Sequence, residues 1–260
     1  MFNQLTERQQ TILNRTVTAH IEHAQPVGSK LLLEEYSLGY SSATIRHEMG
    51  ELEVLGYLEQ PHVSAGRVPT DAGYRFYVDH GLEEKSGAPE VTGRILERYS
   101  GLSVRTGAES LAESAAVFMS SLLRETGVIV LVEHDPVSHE PRRRRLFVQG
   151  VSYILEKPEF QDVAKARPLF KTLEEKNRLM DALQADDESL GPQVRIGHEN
   201  PLEPLYDCSV VHSAYASGRV YSGTLAVIGP RRMRYARILP LVEKITQVLK
   251  QVLCEKEMDA

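Results

Sequence analysis

Cysteine is scarce in this chain of 260 residues, which holds only Cys208 and Cys254, far apart and outside any Cys-x-x-Cys pair. That argues against a disulfide framework or a zinc finger and suits a reducing cytoplasm. Long apolar runs are missing too. The densest, Val128 to Val132, is far too short to span a bilayer, so no membrane association is expected. The start, M-F-N-Q-L-T-E-R, lacks the basic-then-apolar order of a signal peptide. There is also no surplus of positive charge: 30 Lys and Arg face 36 Asp and Glu, a net charge of −6. Even residues 1–80 hold six basic against ten acidic side chains. A nucleic-acid binder of this kind must use locally arranged cations and backbone N–H groups rather than a global field. Internal repeats and low-complexity tracts are absent. What is present is 42% hydrophobic and 25% charged residues, the balance of a folded globular protein of one large or two ordinary domains.

The first 80 residues carry dense helix punctuation. Thr6 with Gln9 makes a capping box for a helix whose Leu13, Val17 and Ile21 share a face. Pro26-Val27-Gly28 breaks it, and Ser29 is positioned to cap a second helix to about Tyr36. After a turn at 37–40, Ser41 or Ser42 caps a third helix with Ile45, Met49 and Leu52 facing inward and Gly56 as its stop. Tyr57 to Gln60 reads as a short strand, Pro61 to Arg67 as a loop, and Val68 as the start of the return. Thr70 then caps a fourth helix carrying Tyr74, Phe76, Tyr77 and Val78. Three helices, a hairpin and a closing helix predict a winged helix-turn-helix over 1–80.

Gly81 to Pro89 has a linker composition, and 81–107 reads as a linker and connecting helix. Residues 108–260 predict an α+β domain with helices on a mainly antiparallel sheet. Leu111, Ala115, Phe118 and Leu122 form a helical stripe, and V-I-V-L-V a buried strand. His134 to Arg145 reads as a polar loop ending in four arginines, followed by a strand from Leu146. Glu159 to Gln184 reads as one charged helix. Strands follow near 194–196, 208–215 and 220–228, with Ser217-Gly218 as a hairpin turn. The final helix places Leu241, Val242, Ile245, Val248, Leu249, Val252 and Leu253 on one face.

A helix that enters the major groove needs an apolar inner face and short polar or donor side chains outside. The third helix offers Ala43, Thr44, Arg46, His47 and Gly50 there. Arg46 can donate two hydrogen bonds to a guanine edge, Thr44 can touch a thymine methyl, and Ser41 and Ser42 can hold a phosphate with the free N–H groups. In the hairpin, Gly66 sits at the tip and Arg67 offers a cation to the minor groove, while His62 and Ser64 are positioned to bond phosphates. Ser29 and Lys30 complete the backbone contacts. Individually each of these residues also suits a cap or a solvated side chain. As an ordered set they point to DNA.

Other constellations carry less. Val27-Gly28-Ser29-Lys30 fails as a phosphate-binding loop, because Ser follows Gly28 where Lys is required and His23 replaces the first glycine. His20 and His23 have metal-compatible spacing but no evident acidic or thiol partner, so no metal and no cofactor are expected. Cys208 and His212 share a strand face without need of bonding contact, which leaves no catalytic residues and argues against an enzyme. The run Arg142 to Arg145 is open to two readings, an extra phosphate contact or a solvated loop.

The segments P-V-G-S-K, S-S-A-T-I-R-H-E-M, L-G-Y-L-E-Q-P-H-V-S-A-G-R-V-P-T and G-Y-R-F-Y-V-D resemble the heat-inducible transcription repressor family HrcA. So do F-V-Q-G, K-P-E-F-Q-D, R-I-G-H-E-N, D-C-S-V-V and G-T-L-A-V-I-G-P-R-R-M-R-Y in the later half. The resemblance implies a bacterial, cytoplasmic repressor of chaperone operons, with a winged helix joined to a GAF-like domain. It implies binding to an inverted-repeat operator as a homodimer, and active folding that depends on a GroEL-type chaperonin. G-P-x-R-M-x-Y recurs in the family, which makes Arg231, Arg232, Arg234 and Arg237 mainly structural. Two departures stand out. His47 replaces the family's usual Asn, and little more than 134–145 occupies the place of an inserted dimerisation domain. The family's dimer interface is therefore not transferable, and the helices at 108–125 or 235–254 are candidates instead. Besides a working repressor, the sequence leaves open a shortened paralogue that modulates a full-length relative, or an effector sensor through the GAF-like domain.

Overall fold

The computed structural model describes residues 5–82, 107–183 and 191–258. They fall into two compact units, Met1–Glu84 with Arg231–Tyr235, and Lys85–Pro230 with Ala236–Ala260. Most of the expected linker, residues 83–106, lies outside the described residues.

In the first unit, α1 (Glu7–His23) opens on the expected capping box: Thr6 Oγ1 accepts from Gln9 N–H at 3.3 Å and Gln9 Oε1 from Thr6 N–H at 3.0 Å. Ile12, Leu13, Val17 and Ile21 form its buried stripe. The second helix, α2 (Ser29–Glu35), has Gly28 at its N-cap and no side-chain cap. Ser29 therefore is not the cap. It lies inside the helix, buried, with Oγ 3.0 Å from Ser42 Oγ. The cause is upstream, where Val27 exchanges two backbone hydrogen bonds of 2.8 Å with Arg67, fixing where the chain enters α2. The third helix, α3 (Ser42–Val54), is capped by Ser41, whose Oγ accepts from Thr44 N–H at 3.1 Å. Gly56, at φ 82°, ends it in the left-handed conformation that glycine tolerates. Ile45, Met49 and Leu52 are buried as their spacing predicts.

Strands β1 (Leu58–Glu59) and β2 (Val68–Pro69) pair antiparallel over only two residues each. The expected strand from Tyr57 to Gln60 is shorter because Tyr57 N–H turns back to Leu52 O and the Gln60 side chain serves the loop. Thr70 caps α4 (Asp71–Phe76) as expected, accepting from Gly73 N–H at 3.2 Å, and a π-helical turn over Tyr77–Gly81 continues it. Arg231 belongs to this unit and donates to Asp71 Oδ1 at 2.9 Å.

The second unit has α+β character. Its elements are α5 (Ala108–Leu123), β3 (Thr126–His134), β4 (Pro141–Gln149), the short α6 (Ser152–Leu155), α7 (Val163–Glu174), α8 (Lys176–Leu183), β5 (Gln193–Ile196), β6 (Cys208–Ser217), β7 (Tyr221–Pro230) and α9 (Tyr235–Met258). The five strands form an antiparallel sheet in the order β4-β3-β7-β6-β5. Val128, Val130, Val210, Ala226 and Ile228 pack from the sheet against Ile154, Leu169, Leu173, Leu179, Met180 and Leu183 of α6, α7 and α8. The helix α5 packs on β3 and β4, and Arg237 of α9 donates to Leu122 O at its end, at 3.2 Å. The apolar stripe of α9 from Leu241 to Leu253 is buried. Among the described residues no helix is long and apolar enough to cross a membrane.

Two expectations for this unit are corrected. The arginines 142–145 are not in a loop but in β4, an edge strand, with Arg145 opposite Leu131 and Arg144 opposite Val132. Edge strands accept charge because one side of the ladder meets solvent. The single helix expected over Glu159–Gln184 is two helices. Glu175, at φ −77° and ψ 73°, leaves the helical region, and its carbonyl accepts from Leu179 N–H at 3.0 Å to start α8. Residue 184 lies outside the described residues.

Candidate nucleic-acid interface

The outer face of α3 is held in place from its inner face. Besides the apolar residues, Glu48 is buried at 4% exposure and its carboxylate is paired with Arg8 of α1. The Arg8 guanidinium also lies 5.9 Å from the Tyr40 ring centroid, against the turn that precedes α3. Sequence reading missed this pair, because a glutamate among surface-like residues looks solvated. The available signal was spacing: position 48 falls in the buried series 45, 48, 49, 52.

With that face fixed, α3 turns Ala43, Arg46 and His47 to solvent, and Thr44 is half-buried. Among the described residues neither Arg46 nor His47 has a hydrogen-bond or ion-pair partner, so their donors are available. Ser41 is exposed and engaged as the cap, with its Oγ also 2.9 Å from Thr44 Oγ1. The Ser42 hydroxyl is taken by Ser29, so those two serines brace α2 against α3. Lys30 is exposed on α2.

The hairpin loop is braced by its own hydrogen bonds. Gln60 Nε2 donates to Val63 O at 3.0 Å and to Ala65 O at 2.9 Å, and Ala65 N–H reaches His62 O at 2.8 Å. This pushes His62, Val63 and Ser64 into solvent, Val63 almost wholly at 99% exposure. Gly66 is not at the tip. A Cβ there would lie 2.4 Å from Val27 O, so the glycine lets the hairpin press on the chain entering α2. Arg67 is not at the tip either. It lies where the loop rejoins the strand, next to Val68, only 20% exposed, with Nε donating to Glu53 Oε2 at 2.8 Å. Arg46, Ser64, Gly66 and Arg67, with Gly28 and Ser29, line one groove of about 490 Å³ between α3 and the hairpin. The structure thus brings Arg46 of α3 beside Ser64, Gly66 and Arg67 of the hairpin, while Ser41, Ser42, Thr44, His47 and His62 do not line this groove.

The remaining constellations resolve differently. His20 Nδ1 lies 2.6 Å from the Tyr74 hydroxyl. His23 does have acidic neighbours: Glu35 is 2.9 Å away, and Glu22, His23 and Glu35 place possible ligand atoms within 4.8 Å of one another on the exposed surface. Burial, and then the charges of Glu22 and Glu35, push the nearby Tyr36 phenol up to about 12. Cys208 is buried in the core against α6, α7 and α8, which fits a structural thiol. Each arginine of the run 142–145 has a carboxylate: Asp135 for Arg142, Glu109 for Arg143 and Arg145, and Asp181 for Arg144. Three carboxylates thus face four arginines, so most of the run's charge is matched and little is left for phosphate.

A family model described as the HrcA protein C terminal domain matches residues 82–239. The chain belongs to the HrcA family. Curated HrcA relatives align over nearly its whole length. The heat-inducible transcription repressor HrcA of Shouchella clausii is 32% identical over 333 aligned positions, covering 94% of this chain and 97% of that protein. The protein of the same name from Brevibacillus brevis is 27% identical, covering 96% and 98%. An alignment of 333 positions exceeds the 260 residues here, so HrcA relatives carry residues with no counterpart in this chain. A crystal structure of a hypothetical protein at 2.2 Å resolution matches with a TM-score of 0.77 over 97% of this chain and 99% of that one. At 21% identity it shares the fold.

Proposed function

We propose that this HrcA-family chain is a sequence-specific, heat-released transcriptional repressor that binds an inverted-repeat operator of chaperone operons as a homodimer. In this reading residues 1–80 are a winged helix-turn-helix, 81–107 a linker, and 108–260 a shortened GAF-like regulatory domain. The recognition helix is α3, and the β1–β2 hairpin is the wing. Thr44, Arg46 and His47 read base edges in the major groove, while Lys30, Ser41, His62, Ser64 and Arg67 grip the backbone. Ser29, Ser42 and Gly66 act beneath this surface, setting the distance between α2, α3 and the wing. The observation that carries the reading is the outer face of α3: Arg46 and His47 are exposed and unengaged among the described residues, beside a groove lined by further donors. The names of the relatives support the heat-inducible repressor role. Release on heating follows if DNA binds only the native protein, with a GroEL-type chaperonin supplying active molecules.

The test is binding of the purified protein to an inverted-repeat chaperone-operon duplex, beside scrambled DNA and an Arg46→Ala variant. Specific binding that Arg46→Ala weakens by about 1–3 kcal/mol is the expected result. Equal, weak binding to both duplexes sinks the repressor reading in favour of a shortened modulator of a full-length relative. A second reading, effector sensing, is favoured by a groove of about 520 Å³ on the second unit, lined by Leu131 and Phe147 together with Glu109, Glu133, Arg143 and Arg145. Its size suits a small ligand.

A further inference from the structure

We infer that the groove between α3 and the hairpin is a phosphate-binding cleft in which Glu53 presents the Arg67 guanidinium end-on. The inference rests on the DNA-binding reading and assigns one of its contacts. Arg67 lines the groove and Glu53 does not. The carboxylate takes only Nε of Arg67, at 2.8 Å. The Arg67 side chain has no other partner among the described residues, so its two terminal nitrogens remain as a parallel pair of donors. That pair matches two oxygens of a phosphate, a geometry that an ammonium cannot reproduce.

The rest of the cleft suits the same anion. Arg46 and Ser64 line it, and neither side chain is engaged among the described residues. Gln60 fixes the loop that carries Ser64 through its two bonds to loop carbonyls. The main chain on either side of Arg67 is fixed too, since its N–H and C=O are both bonded to Val27. Arg67 is therefore held at its backbone and at Nε, and it lines the groove. The ion pair with Glu53 thus occupies Nε and leaves the terminal nitrogens to a ligand. Glu53 is a positioning residue, and its charge opposes the anion it helps to place.

A phosphate can come from the DNA backbone or from a small free anion, and the test separates the two. Operator affinity is measured against salt for the wild type and for Arg67→Gln, Arg67→Lys and Glu53→Gln. Thermal midpoints of all four are recorded with and without millimolar inorganic phosphate, against chloride at equal ionic strength. Loss of one backbone phosphate contact lowers the salt slope by about one, so Arg67→Gln is expected to do that with specificity unchanged. Arg67→Lys keeps the slope and loses affinity. Glu53→Gln still accepts from Nε without the opposing charge and is expected to tighten operator binding at an unchanged slope. A purely structural pair would move midpoints in every variant and leave the slope of Arg67→Gln at the wild-type value, which overturns the inference. Stabilisation by phosphate that vanishes in Arg67→Gln assigns a small anion to the cleft, whereas an Arg67-dependent slope without it assigns the DNA backbone. Should the wild type bind no duplex, the DNA reading fails by itself, and the phosphate arm alone decides the cleft.

Discussion

At the scale of single residues, the interface depends on close backbone approaches as much as on donors. Gly66 faces the Val27 carbonyl where a Cβ would stand 2.4 Å away, and 2.5 Å from the Val27 carbonyl carbon. Neither atom can rotate aside, because the Val27 carbonyl accepts from Arg67 N–H while Val27 N–H donates to the Arg67 carbonyl. Gly66→Ala must therefore lift the hairpin off the entry to α2 and break the bridge. The expected cost is about 1–3 kcal/mol of stability, by analogy with overpacked sites, read as a lower urea midpoint. Operator affinity should fall as well, because Arg67 and Ser64 move with the hairpin. A variant with wild-type stability and affinity would mean that the hairpin is free to shift. The sequence shows a glycine in a loop and suggests a tip. Its real neighbour is a backbone atom far away in the chain, which no local pattern encodes.

At the scale of elements, legibility followed the physics that is local. Helices α1, α3 and α4 were readable because a cap and an apolar period announce each one, and β6 and β7 because the Ser217-Gly218 turn separates them. The strand β4 was not, since its four arginines look like a loop until the carboxylates of Glu109, Asp135 and Asp181 are brought beside them. Nor was the break at Glu175, which interrupts a pattern that reads equally well as one helix. Among the site residues, Arg46 and His47 were placed correctly on an outer face by periodicity, whereas the ends of α2 and of the hairpin depended on tertiary contacts. The setting of α3 makes this testable. The Glu48 carboxylate is 5% exposed and depends on Arg8, which is itself half-exposed. Removing the cation leaves a buried charge, whereas neutralising the carboxylate leaves only a polar group, and the first is the costlier change. Arg8→Ala should thus destabilise by roughly 1–3 kcal/mol and Glu48→Gln by less, with partial recovery in the double variant. Urea unfolding of the three variants checks the order, and wild-type midpoints in both single variants would show that α3 is held by its apolar face alone.

At the scale of the whole molecule, the chain is acidic, at −6, and among the described residues its arginine run is paired within the second unit. Nonspecific attraction to DNA should accordingly be weak, and occupancy should rest on a specific interface that exists only in the folded state. This ties binding to stability in both directions. A duplex that binds the native protein and not the unfolded chain stabilises it by about 2.7 kcal/mol at a hundred times its Kd. Operator duplex at that excess should raise the thermal midpoint by several degrees, while scrambled duplex at equal phosphate concentration should leave it nearly unchanged. The same linkage predicts that Gly66→Ala and Arg8→Ala, which weaken the fold, release operator at lower temperatures than the wild type does. Arg46→Ala should instead weaken binding at every temperature with little change in the midpoint of the free protein. Calorimetry of the free and operator-bound protein, with operator occupancy followed on the same temperature ramp, separates the two classes. If occupancy falls well below the temperature at which the free chain unfolds, and does so equally in all variants, heat acts on something other than the native fold. The stability-linked account of release would then be wrong.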